Sequence, residues 1–176
     1  MLIRASNSRA CKPKRKRRVW PWVVGGVAVL AVAFGAFAAA LVGTAEYYKD
    51  VAAGEPTTGF KMVALVIEIL LGYLTTTASV MAFGKLQEIV PTRPITYKGQ
   101  NVVNLLLFVI AAALGIWMIL MPTPGWVFPT FMGLSLLFGV LLIIPIGGGD
   151  MPTVIALLNS YAGAAAAAMG FALENR

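Results

Sequence analysis

Apolar residues run along this chain in long blocks, and the polar positions between them are few and grouped. Arg18 and Glu46 enclose 27 residues without a charge, Lys98 and Asp150 enclose 51, and Asp150 and Glu174 enclose 23. A helix that crosses a bilayer needs about 20 mostly apolar residues. The longest block therefore holds two spans, divided by Pro122-Thr-Pro-Gly125, whose prolines and glycine specify a turn. Another apolar stretch, interrupted only by Glu68, lies between two mixed-charge loops. The pattern predicts an all-α, polytopic membrane helix bundle with five transmembrane helices, over 20–43, 62–83, 101–121, 127–146 and 152–173.

Composition strengthens this. Of 176 residues, 59% are hydrophobic and 12% charged, whereas about a quarter of a soluble domain is charged. The net charge of +7 is unevenly placed: eight of the fourteen Lys and Arg precede Val19, and the remainder of the chain carries six basic and seven acidic residues. Residues 1–18 are expected to form a disordered, basic cytoplasmic tail, and 19–176 the transmembrane domain. A basic flank before an apolar run also describes a signal peptide, with Ala38-Ala-Ala40 as a cleavage mimic. The run is too long for that role, which favours a retained helix. Trp20 and Trp22 fit an interfacial belt, and the tail beside them fits anchoring to anionic lipid better than nucleic-acid binding.

Loop charge gives an orientation. The N-terminus and the 84–100 loop hold most of the Lys and Arg, and five spans put them on one side with the 147–151 link. The positive-inside rule makes that side cytoplasmic. Cys11 has no intrachain partner, so no disulfide forms within the chain. The absence of histidine excludes a His-based metal site or catalytic triad. No phosphate loop or dinucleotide fingerprint is present, so bond chemistry by this chain alone is not expected.

Candidate chemistry rests on a few polar residues inside the spans. Asn159 lies within an apolar helix and must face a neighbouring helix or water. It serves either as an interhelical hydrogen bond or as a relay that orders water for proton movement. Asp150 opens the same helix, where free backbone N–H groups stabilise a carboxylate. It is either a simple cap or the mouth of a path. Gly147, Gly148 and Gly149 allow a hinge. Glu68 stands about two turns from Lys61, and carboxylates at such depth tend to be functional. Thr75 and Ser79 share a helix face, roughly that of Glu68, within the hydroxyl cluster Thr75, Thr76, Thr77 and Ser79. Back-bonding to the helix's own carbonyls is the plainer reading of those hydroxyls. Together, Glu68, Thr75, Ser79 and Asn159 suffice for a narrow hydrated route and are too few for a wide pore. Phe34–Gly43 and Tyr161–Gly170 also align as a weak small-residue repeat. That points to the first and fifth helices as the bundle centre.

Three segments carry a resemblance: Leu71-Gly-Tyr-Leu-Thr-Thr-Thr-Ala-Ser-Val-Met-Ala-Phe-Gly-Lys-Leu86; Arg93-Pro94 with Asn104; and Pro145-Ile-Gly-Gly-Gly-Asp-Met-Pro continuing through Leu-Asn-Ser-Tyr-Ala-Gly163. Over about residues 38–175 the chain resembles the beta subunit of proton-translocating NAD(P)+ transhydrogenase. The resemblance implies a membrane domain that couples proton movement to hydride transfer between NADH and NADP+. It implies that Asn159 is the asparagine of the proton path, Asp150 the acid at the start of its helix, and Ser79 the path serine. It also implies partners: transhydrogenase alpha subunits, an NADP-binding domain, a dimeric assembly and membrane lipid, in the bacterial inner membrane. NADP(H) and NAD(H) would belong to the complete complex, and no cofactor is expected in this chain.

The departures are specific. The family's helix equivalent to the first span often carries a histidine, at a position that falls near Val32 here. The region before Ala38 does not match. Ala78 replaces a common glycine, and Glu68 occupies no familiar position. The family's earlier helices, its last membrane helix and its nucleotide domain are not in this sequence, so a partial gene product is expected. The alternatives are a small multi-spanning ion channel or transporter, with Glu68 and Asn159 as its site, or a non-functional remnant.

Overall fold

The computed structural model describes residues 20–54, 59–121 and 125–174, without the side chains of residues 20–22 and 174. The basic tail lies outside them. The described residues form five α-helices: α1 (Trp20–Ala53), α2 (Gly59–Leu86), α3 (Gln100–Leu120), α4 (Val127–Ile143) and α5 (Met151–Glu174), with one 3-10 turn at Gly148–Asp150. α1, α2, α3 and α5 are long and apolar enough to span a membrane. α4 has 17 residues, the lower end of the spanning range of about 17–25. The chain is an all-α membrane bundle.

The first helix runs ten residues beyond the predicted boundary at Gly43, through a segment read as a loop. At about 1.5 Å per residue its 34 residues reach about 51 Å, well beyond a hydrocarbon core of about 30 Å. The polar end continues as helix because Glu46 and Asp50, one turn apart, both grip Lys61 of α2. Gly54 then ends it with a positive φ of 66°, the left-handed geometry that glycine adopts without strain.

Side-chain contacts show an antiparallel α1–α2 pair. Gly26 lies against Phe83 and Gln87, Ala36 and Ala40 against Gly72, Gly43 against Glu68, and Lys61 against Glu46 and Asp50. The two ends of the bundle can then be assigned. At one end, Tyr47 stacks on Phe128 at 4.1 Å and Phe60 meets Phe171 edge-on. At the other, Ile95 N–H donates to Ile144 O and Gly148 N–H to Thr92 O. The 84–100 loop and the 147–151 link thus share one end, as five alternating spans require.

The centre of the bundle is α2, not α1 and α5. Of its most apolar stretch 61% is buried, against 33% for α1 and 22% for α5. The small residues of the outer helices explain the difference: they let both backbones close onto α2. One apolar cluster joins Ala40, Ile69, Tyr73, Phe128 and Phe131. A second joins Val29, Ala78, Ala82, Met151 and Leu158.

α4 closes on α2 at Gly139, where a Cβ would run into Thr77 Oγ1 and the Leu74 carbonyl. Gly139→Val is expected to cost about 1–3 kcal/mol by overpacking, read as a lower unfolding midpoint in detergent. Gly133→Ala, which meets open space on the same helix, should leave stability unchanged or raise it by up to about 1 kcal/mol.

Candidate functional site

Glu68, Gly72, Thr75 and Ser79 follow each other at steps of four, three and four, so they form one stripe along α2. Glu68, Thr75 and Ser79 are each 0% exposed. Among the described residues, neither Glu68 oxygen, nor Thr75 Oγ1, nor Ser79 Oγ has a hydrogen-bond partner. The neighbouring hydroxyls behave otherwise. Thr76 donates to Gly72 O at 2.7 Å, and Thr77 donates across to Leu136 O of α4 at 2.8 Å. The hydroxyl cluster therefore splits by face: Thr76 and Thr77 are structural, and Thr75 and Ser79 retain unused capacity.

That capacity is costly. A buried polar group without a partner costs about 1–3 kcal/mol, whereas an interhelical hydrogen bond in a membrane gains about 0.6 kcal/mol on average. Packing alone gives no reason to hold three such groups in line. Unsatisfied buried groups in native folds often mark catalytic roles or bound water.

The stripe is pinched in the middle. A Cβ on Gly72 would lie 2.8 Å from Ala40 Cβ and 3.0 Å from Ala36 O, so the backbones of α1 and α2 touch there. Glu68 lies on one side of this contact, with Thr75 and Ser79 on the other. Gly43 makes room for the carboxylate: a Cβ there would lie 2.8 Å from Glu68 Cδ.

Asn159 is not part of this stripe. α5 turns Met151, Val154, Leu158, Ala165, Ala168 and Ala172 inward, and one residue past Leu158 is about 100° further round. Asn159 is exposed, beside the exposed Ser160, Gly163 and Ala164. Within this chain the four polar residues therefore do not share one face. Glu68, Thr75 and Ser79 come together on an inner track, and Asn159 marks a separate outer face turned away from the described helices.

Asp150 is exposed in the 3-10 turn ahead of α5, and its N–H donates to Gly147 O at 3.1 Å. None of Gly147, Gly148 and Gly149 adopts a positive φ, as only Gly54 and Gly99 do among the described glycines. Gly148 is the packed member, with its Cβ position 3.3 Å from Thr92 Cβ. Gly147 and Gly148 are braced against Pro94 and Thr92 of the 84–100 loop, whereas Gly149 meets open space.

The sequence of residues 23–176 matches the family described as NAD(P) transhydrogenase beta subunit. The chain belongs to this family. It is 38% identical over 150 residues to the NAD(P) transhydrogenase subunit beta of Rhodospirillum rubrum, covering 85% of this chain and 31% of that protein. The same figures hold for a second protein of that name from a strain of the same species. The chain thus spans about a third of the length of the curated relatives it matches. The α2 stripe, the three-glycine link and Asn159 of this transhydrogenase family member all fall inside the matched region.

Two lysines were missed as site residues by sequence reading. Lys61, 8% exposed, bonds Glu46 at 3.0 Å and Asp50 at 2.7 Å. The spacing of Glu46 and Asp50 on one helix face was the available signal. Lys85, counted only as a loop charge, is 1% exposed. It donates to Ile143 O, Ile144 O and Ile146 O at 2.9, 2.6 and 2.8 Å. No sequence signal pairs a lysine with carbonyls some sixty positions away.

A double-mutant cycle tests the Gly43–Glu68 contact. Gly43→Ala should destabilise the fold by about 1–3 kcal/mol. In a Glu68→Ala background most of that loss should vanish, a coupling of about 1 kcal/mol or more. Additive losses, measured by unfolding in detergent, would contradict the contact.

Proposed function

We propose that this transhydrogenase family member forms part of the membrane pathway by which protons cross, coupled in a complete complex to hydride transfer between NADH and NADP+. The observation that carries this is the row of three buried polar side chains on one face of the central helix that have no hydrogen-bond partner among the described residues. A carboxylate and two hydroxyls are groups that accept and pass protons, directly or through water.

In this account Glu68 serves the end bounded by Lys61, Glu46 and Asp50, and Thr75 and Ser79 serve the end bounded by Lys85. The Gly72–Ala40 contact separates the two halves, so passage requires α1 and α2 to part there. Val32, near the position where the family often carries a histidine, falls opposite Ser79 by the α1–α2 register. Asn159 belongs to the outer face of α5, which another helix of the assembly covers. Asp150, at the start of α5, lies at the mouth on that side. Movement of α5 would be transmitted to an NADP-binding domain supplied elsewhere.

The described residues form helices without a strand, so they offer no sheet on which a dinucleotide fold could be built. No residue here is assigned to NAD(H) or NADP(H). Alpha subunits, an NADP-binding domain, a dimeric partner and surrounding lipid would complete the assembly. The basic loop charges favour an N-terminus in the cytoplasm, and membership of the transhydrogenase family favours a bacterial inner-membrane placement.

The purified chain alone should not reduce NADP+, and measurable hydride transfer by it would refute the division of labour. In a reconstituted complex containing this chain, Ser79→Ala and Glu68→Gln should each slow proton-coupled hydride transfer about tenfold or more, a loss of about 1.4 kcal/mol. Val80→Ala, at a half-exposed position of the same helix (53%), should leave it unchanged. Nucleotide-independent proton flux through liposomes holding only this chain would point instead to a free-standing channel.

A further inference from the structure

Lys85 stands at the last turn of α2, buried, with its ammonium turned into the end of a different helix. Its Nζ lies 2.9 Å from Ile143 O, 2.6 Å from Ile144 O and 2.8 Å from Ile146 O. A lysine ammonium has three N–H donors, so all three are committed. The acceptors are the last carbonyls of α4 and the first of the link, groups that helix geometry leaves without intrahelical partners. A cation is also the favoured charge at a helix C-terminus. All three acceptors are backbone carbonyls, so the lysine binds backbone shape.

The same link is held a second time from the same side. The loop leaving α2 gives Thr92 O as acceptor to Gly148 N–H at 2.9 Å, and Ile95 N–H donates to Ile144 O at 3.4 Å. Pro94 and Thr92 pack on Gly147 and Gly148. Lys85 and the loop that follows α2 thus both brace the 144–150 link. Met151, the first residue of α5, is 0% exposed in the cluster that contains Ala78 and Ala82 of α2.

We propose that Lys85 is a positioning residue. It fixes the path of the α4–α5 link and so holds the start of α5 in register with the polar stripe of α2. Loss of the ammonium strips Ile146 O of its Lys85 donor and leaves Ile143 O and Ile144 O to the Ile146 and Ile95 N–H groups, so the link then samples several paths. Its bearing on proton movement rests on the function proposed above, but the latch itself is testable without any transport.

The test is hydrogen exchange on the full chain in lipid nanodiscs. In Lys85→Met the Ile95 and Gly148 amides should exchange about tenfold or more faster, the scale expected when hydrogen bonds from a charged donor are lost. Amides flanking Lys61 at the opposite end should keep their rates. Lys85→Arg, which retains a cation able to reach carbonyls, should restore most of the protection. Lys98→Met, an exposed loop lysine, should change nothing. A second reading uses spin labels at Val80 and Ser160, both exposed, with Cys11 replaced by serine. Their distance distribution should broaden in Lys85→Met and narrow again in Lys85→Arg. Unchanged rates at Ile95 and Gly148, or an arginine variant that behaves like methionine, would overturn the proposal. If Lys85→Met does not fold, Lys85→Arg is compared with Lys85→Gln. The cation must then protect the link better than the neutral amide, and equal rates overturn the proposal.

Discussion

A carboxylate and two hydroxyls enclosed on one face of α2 constrain everything packed around them. Nothing in a hydrocarbon solvent can satisfy the carboxylate, so it has to lie inside the bundle, with the two hydroxyls that share its face. The helix that bears them is therefore the one the others surround. The enclosing surfaces must also be small. Gly43 gives the Glu68 carboxylate its space, and the Ala40–Gly72 contact brings the backbones of α1 and α2 together. On α1, Ala36, Ala40 and Gly43 supply that small wall.

The two ends of the bundle are secured by different chemistry. At one end Lys61 meets Glu46 and Asp50 across the α1–α2 pair, one ammonium bridging two nearly buried carboxylates. At the other, Lys85 meets only carbonyls. An ion pair holds two side chains together, whereas a lysine on three carbonyls fixes a backbone. The second arrangement sits where the chain changes direction between α4 and α5, the joint through which movement of α5 would pass. Asn159, on the uncovered face of that helix, fits an assembly larger than the described helices.

Much of the fold was legible in the sequence because hydrocarbon is an unforgiving solvent. Blocks of 27, 51 and 23 uncharged residues leave little choice but helices, and the predicted boundaries of the third and fifth spans agree with the structure to one residue. The overrun of α1 was hidden, because Glu46 and Asp50 look like loop charges until Lys61 is placed opposite them. The site was half legible. Helical spacing put Glu68, Thr75 and Ser79 on one face, but it could not show that Thr76 and Thr77 use their hydroxyls while Thr75 and Ser79 do not. Periodicity was equally silent on whether Asn159 faced α2. The inward side of α5 is chosen by Met151, Val154 and Leu158 together, and alanines further along the helix look alike on every side. The role of Lys85 depends on carbonyls, which have no sequence identity.

Membership of the transhydrogenase beta-subunit family and the unpartnered polar row meet in one physical claim: the inner face of α2 is wet enough to carry protons. Water-edited solid-state NMR on the chain in lipid bilayers tests it most directly. Magnetisation should pass from water to the side chains of Glu68, Thr75 and Ser79 much faster than to Ile69, which is equally buried on the same helix. Transfer to all three that is no faster than to Ile69 would show a dry stripe and contradict the account.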